Sequence, residues 1–209
     1  VNMNIVVFGA TGGIGKCLSY ELSKSHNLFL GSRNQSQISD LVFDINQNLI
    51  SSQSNESVCG MEVDATNFES VDAFLDKSKN FLGSIDCIIN CVGSLLLKPA
   101  HITTEEELEN VFRTNVFSCF GILKNSIKFL RDSGGSIIFF SSAASKVGLK
   151  NHESISSAKA AVSALVLSAA STYAKYNIRV NAIAPGLVET PLTKNITDNK
   201  ASIDYSKKL

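Results

Sequence analysis

The sequence has no excess of either charge: 19 lysines and arginines balance 19 aspartates and glutamates. A nucleic-acid surface requires a basic stripe, and none is present. The short runs Glu105–Glu107 and Lys207–Lys208 read as solvated helix or tail residues rather than docking sites. Long apolar runs are also missing. No stretch reaches the roughly 18 residues that read as a membrane span, and the chain leads directly into a strand, NIVVF, without a signal peptide. No C-x-x-C pair occurs among the cysteines at 17, 59, 87, 91 and 119. Cys87 and Cys91 flank the apolar IIN and read as buried thiols, so no metal site is expected. An odd number of scattered cysteines suits a reducing cytoplasm, where the sequons at Asn34, Asn55 and Asn195 carry no meaning. Linkers, repeats and low-complexity segments are absent. The 209 residues, 44% hydrophobic, therefore read as a single domain, 1–209, with a substantial core.

What is present is an alternation. Apolar, β-branched runs at 4–8, 27–31, 57–63, 84–90, 135–142 and 177–184 read as strands. Segments of helical period fall between them, at 13–24, 35–50, 67–80, 105–131 and 154–175. Thr104 and Glu107 form a capping-box pattern at the start of the long fourth helix. Wholly apolar strands alternating with helices predict an α/β, doubly wound parallel sheet, a Rossmann fold. Such sheets bind ligands beyond the carboxyl ends of their strands, where strand order reverses. The chemistry is therefore expected at 9–15, 31–34, 64–65, 90–93, 141–155 and 184–191.

The first of these segments is GATGGIG, with Gly9, Thr11, Gly12, Gly13, Ile14 and Gly15. Glycines after a strand and before a helix let the backbone approach a pyrophosphate at the helix N-terminus. The bland alternative is a turn without a ligand. The spacing is G-x-x-x-G-x-G rather than the G-x-G-x-x-G of the common dinucleotide fingerprint. It resembles the glycine motif of the short-chain dehydrogenases/reductases, and other landmarks agree in order along the whole chain. Asn90, Val92 and Gly93 in NCVG are similar to the family's N-N-A-G, and Asp64 with Ala65 follows the third strand where the family contacts adenine. Asn115 in TNV, Ser142 in SS and the P-G segment with Pro185, Gly186, Val188 and Thr190 match further family positions. Residues after the second strand read GSRN, with no acid until Asp40. Arg33, between Ser32 and Asn34, suits a 2′-phosphate through its planar fork, so NADP(H) is the expected cofactor. The alternative is a solvent-facing Arg33 and mixed preference.

The resemblance implies a catalytic tyrosine four residues before a lysine, with a serine and an asparagine. Lys159 in SAKAAV holds the lysine position, which also touches the nicotinamide ribose in the family. Four residues earlier stands Ile155, and the family's spacing from Ser142 lands on Ile155 as well. Isoleucine has no proton to give. A positioned general acid is worth about 10²–10⁴-fold, so another route is required of an active enzyme. His152, beside Glu153, is one candidate; Ser142 with Lys159 is another. Tyr173 and Tyr176 lie too far along the helix, at roughly 20 Å or more from Lys159. Tyr20 is at the wrong edge, and Tyr205 reaches the site only if the segment after the sixth strand folds over it. Some family members lack this tyrosine, among them dienoyl-CoA reductases, but the position of that branch's shifted tyrosine holds Ala144.

Three readings follow. One is an NADP(H)-dependent reductase of a carbonyl or activated double bond, using Asn115, Ser142, Lys159 or His152. Another is an NADP(H)-binding pseudoenzyme acting as sensor, regulator or partner subunit. A third is a truncated chain with neither property: the chain begins at Val1 and ends in DYSKKL, whereas the resemblance implies a further helix and last strand. It also implies a small-molecule substrate and a homodimer or homotetramer built through the helices at 105–131 and 154–175. Neither membrane nor nucleic acid is expected as a partner.

Overall fold

The computed structural model describes residues 2–51, 57–200 and 203. Asn55, Tyr205, Lys207 and Lys208 lie outside the described residues. Strand β1 (Asn4–Phe8) leads through the glycine turn into α1 (Gly13–Ser23), then β2 (Asn27–Ser32), α2 (Gln35–Ser51) and β3 (Val58–Glu62). Helix α3 (Phe68–Leu82) and β4 (Cys87–Asn90) follow. After them come α4 (Glu105–Phe112), α5 (Ser118–Leu130), β5 (Gly135–Phe140), α6 (Glu153–Tyr173), β6 (Ile178–Ile183) and the short α7 (Lys194–Thr197). All five strand pairings are parallel, in the order β3-β2-β1-β4-β5-β6.

The central strands are apolar throughout because both faces of the sheet are covered. Val6 and Phe8 of β1 join Ile88 of β4 in a core under α3, α5 and α6. Ile5 and Val7 join Cys87 and Ile89 in a second core under α1 and α2. Phe74 of α3 packs against both Phe8 and Phe29, with ring centroids 4.8 and 5.2 Å away. Gly31 makes room for it, since a Cβ there would stand 2.6 Å from the Phe74 ring. At the edge, β6 alternates: Ile178 and Val180 are buried, while Arg179 and Asn181 are exposed.

Two expectations are corrected. The single helix at 105–131 is interrupted by a π-helical turn, Arg113–Phe117. There the Asn115 side chain reaches back to the Val111 carbonyl at 2.9 Å, and the Ser118 hydroxyl donates to the Thr114 carbonyl. The Thr104–Glu107 capping box at its start is present in both directions. The second correction concerns Glu153–Tyr176, which by length and composition is apolar enough to cross a membrane. Lys159 and the serines interrupt its run in the sequence, so no continuous apolar stretch is visible there. One face of α6, including Val162, Val166 and Ala169, is buried in the core below the sheet.

Replacing Phe74 by alanine is expected to cost about 3–5 kcal/mol, the range for a buried aromatic. A fall in the urea midpoint at unchanged m-value checks it.

Candidate active site

Strand order reverses between β1 and β4, whose neighbours run outward in opposite directions. The carboxyl ends of these strands diverge there into a crevice. Gly9, at φ +75°, ends β1; a Cβ on it would stand 2.8 Å from the Val92 amide nitrogen. A Cβ on Gly15 would overlap the Gly9 carbonyl. Glycine at both positions therefore lets α1 start directly against the strand end. The Lys16 amide donates to the Gly12 carbonyl at 2.7 Å, closing the first helical turn.

The crevice opens into a cleft whose walls include Gly9, Thr11 and Gly12; Ser32, Arg33 and Asn34; Asp64 and Ala65; and Val92 and Gly93. Sequence reasoning named all ten. It missed Gln37, Val63, Thr66, Cys91 and Thr114, which share the lining. Gln37 carries a signal in hindsight, because it sits in the first turn of the helix that follows Arg33. Thr11 and Ser32 share a hydrogen bond of 2.7 Å across the β1 and β2 ends. The Asn34 side chain accepts from the Gln37 amide at 3.0 Å, fixing the start of α2. Arg33 is exposed at this end and has no ion pair among the described residues. Asp64 accepts from both the Thr66 amide and hydroxyl, at 2.9 and 2.7 Å. Asn90 does not line the cleft. It is buried, accepts from the Val92 amide at 3.0 Å and donates to Ser118 and Cys119, so it props β4 on α5. Gly13, Ile14 and Gly15 also stand behind the lining. Burial pushes the thiols of Cys91 and Cys87 up to about 12 and about 11, which leaves them unreactive.

The remaining site residues converge beside Gly93. A Cβ on Gly93 would stand 3.2 Å from Asn115 Oδ1 and 3.6 Å from Lys159 Nζ. Asn115 is fully buried, and its amide donates to Ser94 Oγ and to the Val111 carbonyl, each at 2.9 Å. Its side chain thus supports the loop after β4. Lys159 Nζ donates to the Phe140 carbonyl at 2.8 Å. Burial pushes the Lys159 ammonium below the usual lysine range, opposed by the nearby Cys119. Beyond β5 the two serines part. Ser141 turns into α6, bonding the Lys159 carbonyl and the Ser163 hydroxyl at 2.9 and 2.7 Å. Ser142 instead caps a short 3₁₀ turn, accepting from the Ala144 amide at 3.1 Å. The Ala143 amide donates to the Pro185 carbonyl at 2.9 Å, which joins the Pro185–Gly186 segment to this end. Further along, Thr190 lies against the glycine turn: a Cβ on Gly13 would be 2.6 Å from Thr190 Cβ.

Ile155 is 4% exposed, in a cluster with Val111 and Ala158 that Leu95, Leu96, Phe112 and Val116 complete. His152 is not joined to Ser142 or Lys159 by a hydrogen bond. Its Nδ1 is 2.7 Å from the Lys150 carbonyl, and its own carbonyl accepts from the Ser156 amide at the start of α6. Tyr173 and Tyr176 pack on the core beneath the sheet, and Tyr20 on the opposite one.

Gly15→Ala is expected to destabilise the fold by about 1–3 kcal/mol through overpacking. Gly12→Ala, whose Cβ would meet only the Gly9 carbonyl at 3.4 Å, should change the urea midpoint far less. Lys159→Met should raise the stability of the ligand-free protein, because the ammonium is buried. With the folded-state pKa lowered, the unfolded chain binds more protons between that value and the unfolded one. Stability of the natural chain therefore rises with pH through that window, and the advantage of Lys159→Met shrinks over it. Denaturation of both proteins from neutral to alkaline pH measures the difference.

The model of the family described as short chain dehydrogenase matches residues 3–201. A tropinone reductase homolog of Arabidopsis thaliana is 31% identical over 205 residues, covering 97% of this chain and 62% of the relative. A hydroxynaphthalene reductase-like protein of Metarhizium brunneum is 30% identical over 189 residues, 90% of this chain and 68% of the relative. The chain thus spans less than two thirds of the length of the Arabidopsis protein. Among solved structures, a 7α-hydroxysteroid dehydrogenase complexed with NADH and 7-oxo glycochenodeoxycholic acid superposes with a TM-score of 0.84 at 26% identity, covering 92% of this chain and 74% of that one. An actinorhodin polyketide ketoreductase with NADPH shares the fold, with a TM-score of 0.85 at 22% identity, covering 96% and 77%.

Proposed function

Because the chain belongs to the short-chain dehydrogenase family, we propose that it is an NADP(H)-dependent reductase of a carbonyl or activated double bond, with a proton donor other than tyrosine. The observation that carries the reading is the convergence of Gly93, Asn115 and Lys159 beside a cleft that ends at Arg33. The residues fit such a cofactor. Arg33 is an exposed cation without an ion-pair partner among the described residues, at the strand end where a 2′-phosphate is read. Gly9, Thr11, Gly12, Gly13, Ile14 and Gly15 would hold the pyrophosphate, and Asp64 and Ala65 the adenine. Val92, Gly93, Pro185, Gly186, Val188 and Thr190 would hold the nicotinamide half. When bound, the reduced nicotinamide supplies a hydride.

The chain's own task is to place the acceptor and manage one proton. Ser142 offers a hydroxyl at the end of β5, and Lys159 a buried ammonium whose lowered pKa eases proton release. Their hydroxyl and ammonium, joined through water, make the favoured relay. The hydrogen bond from the His152 side to the Lys150 carbonyl turns one ring nitrogen away from that task, leaving His152 the lesser candidate. Burial of Ile155 among apolar side chains favours a second reading: a protein that binds NADP(H) without turnover, as sensor, regulator or partner subunit. Exposed Phe117, Phe120 and Leu167 on α5, its preceding turn and α6 support assembly as a homodimer or homotetramer through those helices.

Arg33→Ala should weaken NADPH binding about tenfold or more, the worth of hydrogen bonds to a charged group, and leave NADH binding unchanged in a fluorescence titration. NADPH oxidation should be followed over ketones and enones. Ser142→Ala should lower kcat by about 10²-fold or more. Bound NADPH that no substrate consumes, with activity appearing only in Ile155→Tyr, would assign the second reading.

A further inference from the structure

Resting on the reductase reading, we propose that the substrate presents an uncharged, apolar body to the site, with Ile155 as a specificity-determining residue. Three loops meet at the carboxyl end of the sheet, and backbone hydrogen bonds join them. The Lys98 amide donates to the Asn151 carbonyl at 2.8 Å, tying the loop after β4 to the loop before α6. The Ala143 amide, next to Ser142, ties that second loop to Pro185 after β6. Each loop exposes large apolar side chains: Leu97 on the first, Val147 on the second, Leu187 and Leu192 on the third. Beneath the first, Leu95 and Leu96 pack on Ile155.

Contiguous exposed apolar groups mark binding surfaces, and small-molecule sites are mostly apolar with a few placed polar groups. Here the placed groups are Ser142 and Lys159, at the reacting end. The charged residues on the loops do not favour one sign. Lys98 is neutralised by Glu107 at 2.7 Å, and the exposed Lys146 and Lys150 are offset by the exposed Glu153 and Glu189. A tyrosine at 155 would place a hydroxyl in the apolar cluster. With isoleucine there, a polar body beside it would lose water without gaining a hydrogen bond, at a cost that disfavours it. The occupant is thus a small molecule with one reacting polar group and an apolar frame.

The test is calorimetric titration of the full chain, with saturating NADPH and without it. The probes are 2-decalone, an uncharged bicyclic ketone, and acetoacetate, a charged one. NADPH turnover and oligomeric state are measured alongside. 2-Decalone should bind at least about tenfold more tightly than acetoacetate. Leu97→Asp and Leu187→Asp should each weaken it by about tenfold, the scale of one buried leucine side chain, with NADPH affinity unchanged. Preference for acetoacetate, no binding of 2-decalone, or unchanged affinity in both variants would overturn the proposal. So would variants that alter oligomeric state in place of ligand affinity, because the patch would then be covered by a second copy. Preferred binding of 2-decalone without turnover keeps the substrate class and removes the reductase reading. Turnover of acetoacetate in preference to 2-decalone does the reverse.

Discussion

The close approach of Gly15 to the Gly9 carbonyl governs the layout of this molecule. No side chain fits between the end of β1 and the start of α1, so the helix N-terminus is held against the strand end. That contact sets α1 over one face of the sheet, while β4 lies on the other side of β1 and sends its chain to the opposite face. The crevice between the two paths is a by-product of covering a parallel sheet twice. Polar groups have no place inside the apolar central strands. They collect at the strand ends, where Ser32, Asp64, Asn90 and Ser142 all stand.

Ile155 shifts the balance at the catalytic end. In its place a tyrosine would set a titratable hydroxyl one helical turn before Lys159. Here the position belongs to a small apolar cluster joining α4, α6 and the loop after β4. The ammonium of Lys159 then faces a backbone carbonyl and an asparagine already committed to Ser94 and Val111. The site keeps its positive charge while losing the group that such a charge would ordinarily acidify. Stability and chemistry thus pull on Lys159 in opposite directions.

Much of this was legible in the sequence, because the signals are local. Apolar runs between glycine and polar turns located six strands to within a few residues. The glycine spacing and the GSRN segment located the cleft, ten of whose lining residues were named in advance. The missed features depend on contacts between distant segments. The π-helical turn arises because Asn115 bonds Ser94, which lies 21 residues earlier. Thr66 and Thr114 join the lining through the way α3 and α4 pack, and no periodicity reports that. The direction of His152 follows from its bond to Lys150, which composition does not encode.

The π-helical turn also bears on which lengths this stretch of chain tolerates. It places one more residue in a turn than an α-helix holds, so α4 and α5 are out of phase with each other. Removing any one residue between Arg113 and Phe117 would restore a continuous helix and swing α5 by about 100°. Cys119, Ile122 and Ser126, now buried, would be carried round toward water, and Phe120 toward the sheet. A codon deletion here is therefore not equivalent to a point substitution: it re-indexes every contact made by the following thirteen-residue helix. Related chains that vary in length should place their gaps in the loops on either side, and keep the count through this turn fixed.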